Sequence, residues 1–219
     1  MPHDADALVD RFVDAQLRGD RREALRLVLE EGLGSGASAT ALELEVIQPA
    51  QRKIGELWAA NRIGIAEEHV ATAIANLVLT ALYAHLPRRD TNDRRVLVAC
   101  VEGELHELGA RISSDFLEAA GFDVTFAGAN VPTHELVNLV RQRRSELVAL
   151  SATMTFHIPA LRRAVGELRA AFGHDFPIAV GGRACDVSPE LVAELGVTVY
   201  GTDAAALVDG ALRALAVAA

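Results

Sequence analysis

Several things are scarce in this sequence of 219 residues. Cysteine occurs twice, at Cys100 and Cys185, with no CxxC motif and no paired framework. A disulfide scaffold is thereby excluded, and a reducing cytoplasm is the expected location. Lysine occurs once, at Lys53, so chemistry that needs a lysine amine has one candidate. Long apolar runs are missing: residues 71–84 and 178–182 are broken or short, and no membrane span is expected. The opening MPHDADALVDRF is acidic and amphipathic, unlike a signal peptide. Positive charge is also short. Twenty-one basic residues face 30 acidic ones, a formal net charge of −9. Strong direct binding to a nucleic-acid backbone needs a basic face, so that function is not expected. Binding to a DNA-binding protein stays open.

What is present divides into two patterns. Half of the residues are hydrophobic and Gly and Pro counts are ordinary, so the chain has material for a large core. Residues 5–17 carry Leu8, Val9, Phe12, Val13 and Leu17 at helical spacing. Further helices are expected at 21–31 with Asp20 as N-cap, at 41–60 capped by Ser38 or Thr40, and at 66–86, stopped by Pro87. Four helices with short turns suggest a bundle over residues 1–88. The stretch PRRDTNDR, residues 87–94, is polar and turn-rich and reads as the boundary. Beyond it, short β-branched runs at 95–101, 123–128, 146–152, 177–181 and 197–200 alternate with helical stretches near 106–120, 133–144, 158–172, 189–194 and 203–217. Continuous rather than alternating apolar strands imply a parallel sheet covered on both faces. The expected fold is α/β: an N-terminal four-helix bundle cap, then a Rossmann-like (flavodoxin-like) five-stranded parallel sheet over 95–219.

Ligands of such sheets bind beyond the C-terminal strand ends, so the loops there carry the candidates. After the first strand comes VEGELHELG. His106 reads either as a solvated loop histidine or as a metal ligand, with Glu104 as the carboxylate that orients its ring. Gly109 would let the helix come close to a bulky ligand. After the third strand, Ser151, Ala152 and Thr153 are small and either pack or open a slot for a flat group. After the fourth, Gly181 and Gly182 mark a tight turn or a close approach by a ligand. All these positions share one rim. Competing signatures are missing: no GxGxxG follows the first strand, and there is no Walker loop and no GxSxG. A phospho-acceptor domain would place Asp where Ser151 stands. His106-Glu107 is no HExxH, because the second His position is Ala110.

The segment ELHELG, 104–109, resembles the DxHxxG motif of the cobalamin-binding domains of methionine synthase and corrinoid proteins. The Ser151 segment resembles that family's SxL motif and Gly181-Gly182 its GG, at the separations expected. The helical segment resembles the cap these domains carry. This resemblance implies that His106 coordinates cobalt as the lower axial ligand in place of the vitamin's own base. It implies that Glu104 orients the His106 ring, that Ser151 and Thr153 line a slot for the displaced nucleotide tail, and that Gly181 and Gly182 contact that tail. Glu104 stands where the family has Asp, and Thr153 where it often has Leu.

Within the cap, Trp58 is followed by nine residues and then Glu68-His69. This Wx9EH pattern resembles the adenosylcobalamin-dependent photoreceptors. There the Trp packs on the upper corrin face and the Glu and His lie near the adenosyl group. Some of these relatives have a His directly after the Trp; here it is Ala59, which leaves His69 as the candidate upper axial ligand. Taken residue by residue, Trp58 also fits a core position and Glu67-Glu68 a helix start. The other histidines, His85, His134, His157 and His174, read as surface or packing residues, with His157 bordering the site. The relatives' MerR-type helix-turn-helix has no counterpart in this sequence. The resemblance therefore implies a stand-alone cobalamin sensor and not an enzyme. Adenosylcobalamin is the favoured form, with methylcobalamin or hydroxocobalamin as alternatives. The implied partner is a transcription factor or other regulatory protein, or a second copy of the chain, with neither nucleic acid nor membrane bound directly. The rival readings are a corrinoid methyl carrier and a cobalamin store.

Overall fold

A computed structural model describes residues 5–201 and 203–216. The chain divides into two compact units, Met1–Pro87 and Arg88–Ala219.

In the first unit α1 (Ala5–Leu17) buries Leu8, Val9, Phe12 and Ala15, the face that its 3.6-residue periodicity aligns. Asp20 caps α2 (Arg21–Leu25) by accepting from the Glu23 amide, and the chain continues as a π-helical stretch, Arg26–Gly32. Ser38 caps α3 (Ala39–Leu42) through the Ala41 amide; a second π-helical stretch, Glu43–Ile47, leads into α4 (Gln48–Ala59). The helices expected at 21–31 and 41–60 are thus each broken by a π-helical stretch, whose wider turn shifts the buried face and cannot be read from an apolar period. The last helix is α5 (Ile65–Leu82). It tightens into a 3-10 turn, Tyr83–His85, so the α-helix ends four residues short of the expected 86. Glu67 closes its start by accepting from the Gly64 amide at 2.7 Å. The segment Ile65–His85 has the length and composition of a membrane-crossing helix. One face of it, from Ala71 through Ile74, Ala75, Val78 and Leu79 to Leu82, is buried core. The buried Gln16 ties α1 to α5, its amide donating to the Ala71 carbonyl at 2.8 Å.

In the second unit five strands form one parallel sheet in the order β2-β1-β3-β4-β5. They are β1 (Arg95–Cys100), β2 (Asp123–Gly128), β3 (Leu147–Ser151), β4 (Ile178–Gly181) and β5 (Val199–Gly201). The helices between them are α6 (Leu108–Ala119), α7 (Thr133–Arg143), α8 (Ile158–Phe172), the short α9 (Arg183–Asp186) and α10 (Pro189–Leu195), with α11 (Ala204–Ala214) last. Alternation within each strand feeds two separate cores. Leu97, Ala99, Val148, Leu150, Ile178 and Val180 pack with Leu136 and Val140 of α7 and Leu161, Val165 and Leu168 of α8. Val96, Val98, Leu147, Ala149, Ala179 and Val199 pack with Ala110 and Leu117 of α6 and Leu207 and Ala211 of α11. This two-sided burial explains why the central strands read as unbroken apolar runs. Two elements leave no mark in the sequence: α9 and the 3-10 turn Thr155–His157, both too short to show a period. The first helix starts at Leu108 instead of 106, which leaves His106 in a loop. The expected end of the last helix at 217 lies outside the described residues.

Phe12 is completely buried in the first unit. Replacing it by Ala should lower unfolding free energy by about 3–5 kcal/mol. The fluorescence of Trp58, the single tryptophan, reports that unit in a urea titration. A loss below about 1 kcal/mol would show that the bundle core collapses around the gap.

Candidate functional site

The β-sheet register places four small residues in one row. Cys100 pairs with Ser151, Ser151 with Gly181, and Gly181 with Gly201. All four continue the period-2 face that carries Val98, Ala149, Ala179 and Val199, so they extend the α6/α11 side of the sheet to its C-terminal rim. Two of the four positions have no side chain, so the rim on this side is low. The strand order reverses between β1 and β3, where a crevice forms in doubly wound sheets. The loops after these two strands hold the polar groups.

Glu104 joins those loops. It is completely buried, yet every partner it needs is in reach. Its Oε1 accepts from the His106 amide at 2.9 Å and lies 2.5 Å from His106 Nδ1. Its Oε2 accepts from the Thr153 amide at 2.8 Å and the Met154 amide at 3.0 Å, and lies 2.8 Å from His157 Nδ1. Burial alone would raise this carboxyl. The bonds from the His106 ring and amide, the Met154 amide and the His157 ring outweigh it and hold Glu104 well below the usual carboxylate range. An ionised Glu104 requires a proton on each facing Nδ1. In a neutral His106 the lone pair then resides on Nε2, the atom a metal would take. The His106 side chain is 54% exposed, against 13% for His157.

The remaining rim residues have distinct positions. Thr153 contributes its amide to Glu104. Gly182 sits at φ +93° with its Cα hydrogen side against Ala152: a Cβ there would fall 2.5 Å from the Ala152 carbonyl oxygen. Nothing lies within 4 Å of a Cβ built on Gly109, in the first turn of α6. Burial pushes the Cys100 thiol up to about 12, with the Glu104 and Glu107 carboxylates adding to the effect, so it stays protonated and is no thiolate ligand.

In the first unit Trp58 is near the end of α4 and 42% exposed. Glu68 and His69 lie in the opening turns of α5. Glu68 Oε1 accepts from the Thr72 hydroxyl at 2.7 Å, and His69 Nε2 is 3.6 Å from Glu68 Oε2. The Thr72 hydroxyl also lies 3.3 Å from Gln51 Oε1, which links α5 to α4. The His69 side chain is largely exposed.

Residues 94–209 match the family model described as a B12 binding domain, and residues 8–83 match a second model with the same description. The chain belongs to the B12-binding domain family. It is a cobalamin-binding protein. Among curated relatives, the HTH-type transcriptional repressor CarH of Myxococcus xanthus is 28% identical over 173 residues, 79% of this chain and 57% of the relative. This chain therefore spans little more than half the length of that repressor. The trimethylamine corrinoid protein of Methanosarcina barkeri is 25% identical over 193 residues, covering 85% of this chain and 88% of the relative. In fold, the structure of the Methanosarcina barkeri monomethylamine corrinoid protein superposes with a TM-score of 0.83 at 20% identity, over 95% of this chain and 98% of that one.

The second unit of this B12-binding chain fits a corrinoid on its own geometry. One imidazole is oriented by a buried carboxylate, is half exposed, and shares the C-terminal rim with a row of small residues. Two participants escape a reading of the sequence. His157 reads there as a bordering residue, although its ring is the second imidazole on Glu104; its place six residues past Ser151, in a 3-10 turn, gives no periodic signal. Gly201 ends the row of small residues, packed so closely under α11 that a Cβ there would stand 3.1 Å from Leu207 Cβ, and only the pairing of β5 with β4 reveals it.

Glu104 generates a pH prediction. Its folded-state carboxyl is held down, so its contribution to stability is complete above the ordinary carboxylate value, about 4.3, and is lost as pH falls below it. Urea midpoints of the cofactor-free protein should therefore fall more steeply between about pH 5 and pH 2, the window that runs down through the ordinary carboxylate value, than those of Glu104→Gln. At neutral pH the variant should be the less stable by about 1–3 kcal/mol, the cost of poorly satisfied buried donors. Parallel acid limbs would show that Glu104 is not an ionised partner of the two histidines.

Proposed function

We propose that this protein is a cobalamin-dependent sensor that passes the state of its cofactor to a protein partner, with His106 Nε2 as the lower axial ligand to cobalt. The observation that carries the ligand assignment is the bond between His106 Nδ1 and the buried Glu104. That bond holds the ring in one tautomer and leaves the ligating nitrogen opposite. Ser151, Gly181 and Gly182, with the Thr153 segment, would receive the nucleotide tail along the low rim, and Gly109 would give it clearance. When bound, cobalamin supplies an upper cobalt–carbon bond that light or a methyl acceptor can break. The work of the protein is to hold, orient and shield.

The sensor reading rests on Trp58, Glu68 and His69, which we assign to selection of the upper axial group, with His69 as the candidate ligand once that group has left. Thr72 holds the Glu68 carboxylate in place for this role. A transcriptional repressor among the relatives supports a regulatory partner, either a transcription factor or another copy of this chain, in the cytoplasm. Adenosylcobalamin is the form this reading favours. The second reading is a corrinoid methyl carrier. It is favoured by the corrinoid proteins of methylamine metabolism, which this chain matches over most of their length, and it would use methylcobalamin and a methyltransferase partner. Neither reading makes this chain the catalyst.

Reconstitution in the dark separates the two. The sensor reading expects the purified protein to retain adenosylcobalamin in preference to methylcobalamin, and green light to change both its absorption spectrum and its elution volume. Retention of methylcobalamin with light-indifferent elution supports the carrier. In either case His106→Ala should lose the histidine-ligated spectrum and weaken cobalamin retention by about 10-fold or more. Trp58→Ala should keep that spectrum and alter only the preference between adenosyl and methyl forms. A His106→Ala protein with unchanged colour and retention would refute the ligand assignment.

A further inference from the structure

The Glu104 side chain orients the His106 ring, but the backbone that carries both residues needs its own anchor. The loop between β1 and α6 makes one internal turn, from the Glu104 amide to the Val101 carbonyl at 2.9 Å. The Val101 amide ties its start to β3 by donating to the Ser151 carbonyl at 3.1 Å, and the residues that carry Glu104 take further partners from the loop between β2 and α7, chiefly from one residue there. The Asn130 amide donates to the Glu104 carbonyl at 2.9 Å, and Asn130 Oδ1 accepts from the Gly103 amide at 2.8 Å. One residue thus holds Gly103 and Glu104 from both sides of their shared peptide. Next to it, the Ala129 amide donates to Glu107 Oε2 at 3.0 Å, so the residue after His106 is tied to the same loop. Asn130 does this at φ +53°, a left-handed conformation that side chains other than Gly, Asn and Asp seldom adopt. A non-glycine residue held there by contacts on both its main chain and its side chain is a clamp whose strain the surrounding loop outweighs.

We propose that Asn130 is a positioning residue for the lower axial ligand: by gripping Gly103 and Glu104 it sets where the Glu104–His106 pair stands on the rim. This rests on the reading of His106 as the cobalt ligand. Glu104 then has two supports of different kinds. Its carboxylate is fixed by the loop after β3, and its main chain by the loop after β2. Loosening the second should let the pair drift away from cobalt without unfolding the sheet, because the loop's own turn and the strand pairing of β1 stay intact.

Three proteins test it: the wild type, Asn130→Gly and Asn130→Asp. Glycine accepts the left-handed backbone and keeps the amide, but removes the acceptor for Gly103. Aspartate keeps both. Each is loaded with methylcobalamin, and the share of bound cofactor without a lower nitrogen ligand (the base-off form) is read from its absorption spectrum. Urea midpoints of the cofactor-free proteins are taken alongside. The expected result is a rise in the ratio of base-off to ligated cofactor by about five- to tenfold in Asn130→Gly, the worth of one neutral hydrogen bond. Asn130→Asp should return to the wild-type ratio. A residue that only closes a loop would change the urea midpoint and leave the spectrum of the bound cofactor unmoved. That result, or an Asp variant no better than Gly, would overturn the inference while leaving His106 as ligand. A wild-type protein that itself binds methylcobalamin entirely base-off would overturn the ligand reading beneath it.

Discussion

A carboxylate with no exposure to water is the constraint on which the rest of the second unit depends. Removing Glu104 from solvent is unfavourable unless each oxygen is met by donors, and the fold supplies five from three places: its own loop, the backbone after β3, and the ring of His157. Those demands explain several features together. The loop before α6 stays irregular through Glu107 because the His106 amide is turned back onto Glu104. The chain after β3 leaves its strand at Ser151 so that two successive amides point at one oxygen. His157 is drawn into a 3-10 turn that brings its Nδ1 to the other side of the same group. What emerges is an imidazole whose Nδ1 faces a buried carboxylate and whose Nε2 lies on the opposite edge of the ring, carried on a loop at a sheet crevice.

That geometry suits either biological role of a cobalamin-binding chain, which is why the lower half of the site alone does not choose between them. In the reading proposed above, the upper axial group makes that choice and Trp58, Glu68 and His69 of the first unit are assigned to select it. There the Glu68 carboxylate is fixed by Thr72 in the opening turns of α5, with the His69 ring beside it and Trp58 exposed near the end of α4. A partly buried acid, an exposed imidazole and a partly exposed indole are the residues that underlie our preference for a sensor.

Much of this is legible in the sequence, for identifiable reasons. Strands covered on both faces appear as short apolar runs, so all five can be placed within two residues of their ends. Asp20 and Ser38 announce their helices because a cap needs a short acceptor side chain followed by free amides. The rim is legible because the C-terminal ends of parallel strands and the loops just after them can be placed from the strand runs: Ser151 and Gly181 end β3 and β4, and Glu104 and His106 follow β1. What stays hidden depends on pairings between distant segments. His157 joins Glu104 across 53 positions, Asn130 joins Gly103 across 27, and Gly201 belongs to the rim through the register of β5 on β4. The π-helical stretches at Arg26–Gly32 and Glu43–Ile47 are hidden for a different reason: one extra residue per turn leaves no mark in an apolar period.

The central claim is that a nitrogen of this protein, and not the base of the vitamin, binds cobalt from below. Electron paramagnetic resonance of the protein loaded with cob(II)alamin addresses it directly, because an axial nitrogen splits the cobalt lines in a pattern set by its nuclear spin. Protein grown on histidine labelled with nitrogen-15 and loaded with unlabelled cofactor should show a changed splitting relative to unlabelled protein. An unchanged splitting would mean that the cofactor keeps its own base, and it would contradict a Glu104–His106 pair that holds cobalt.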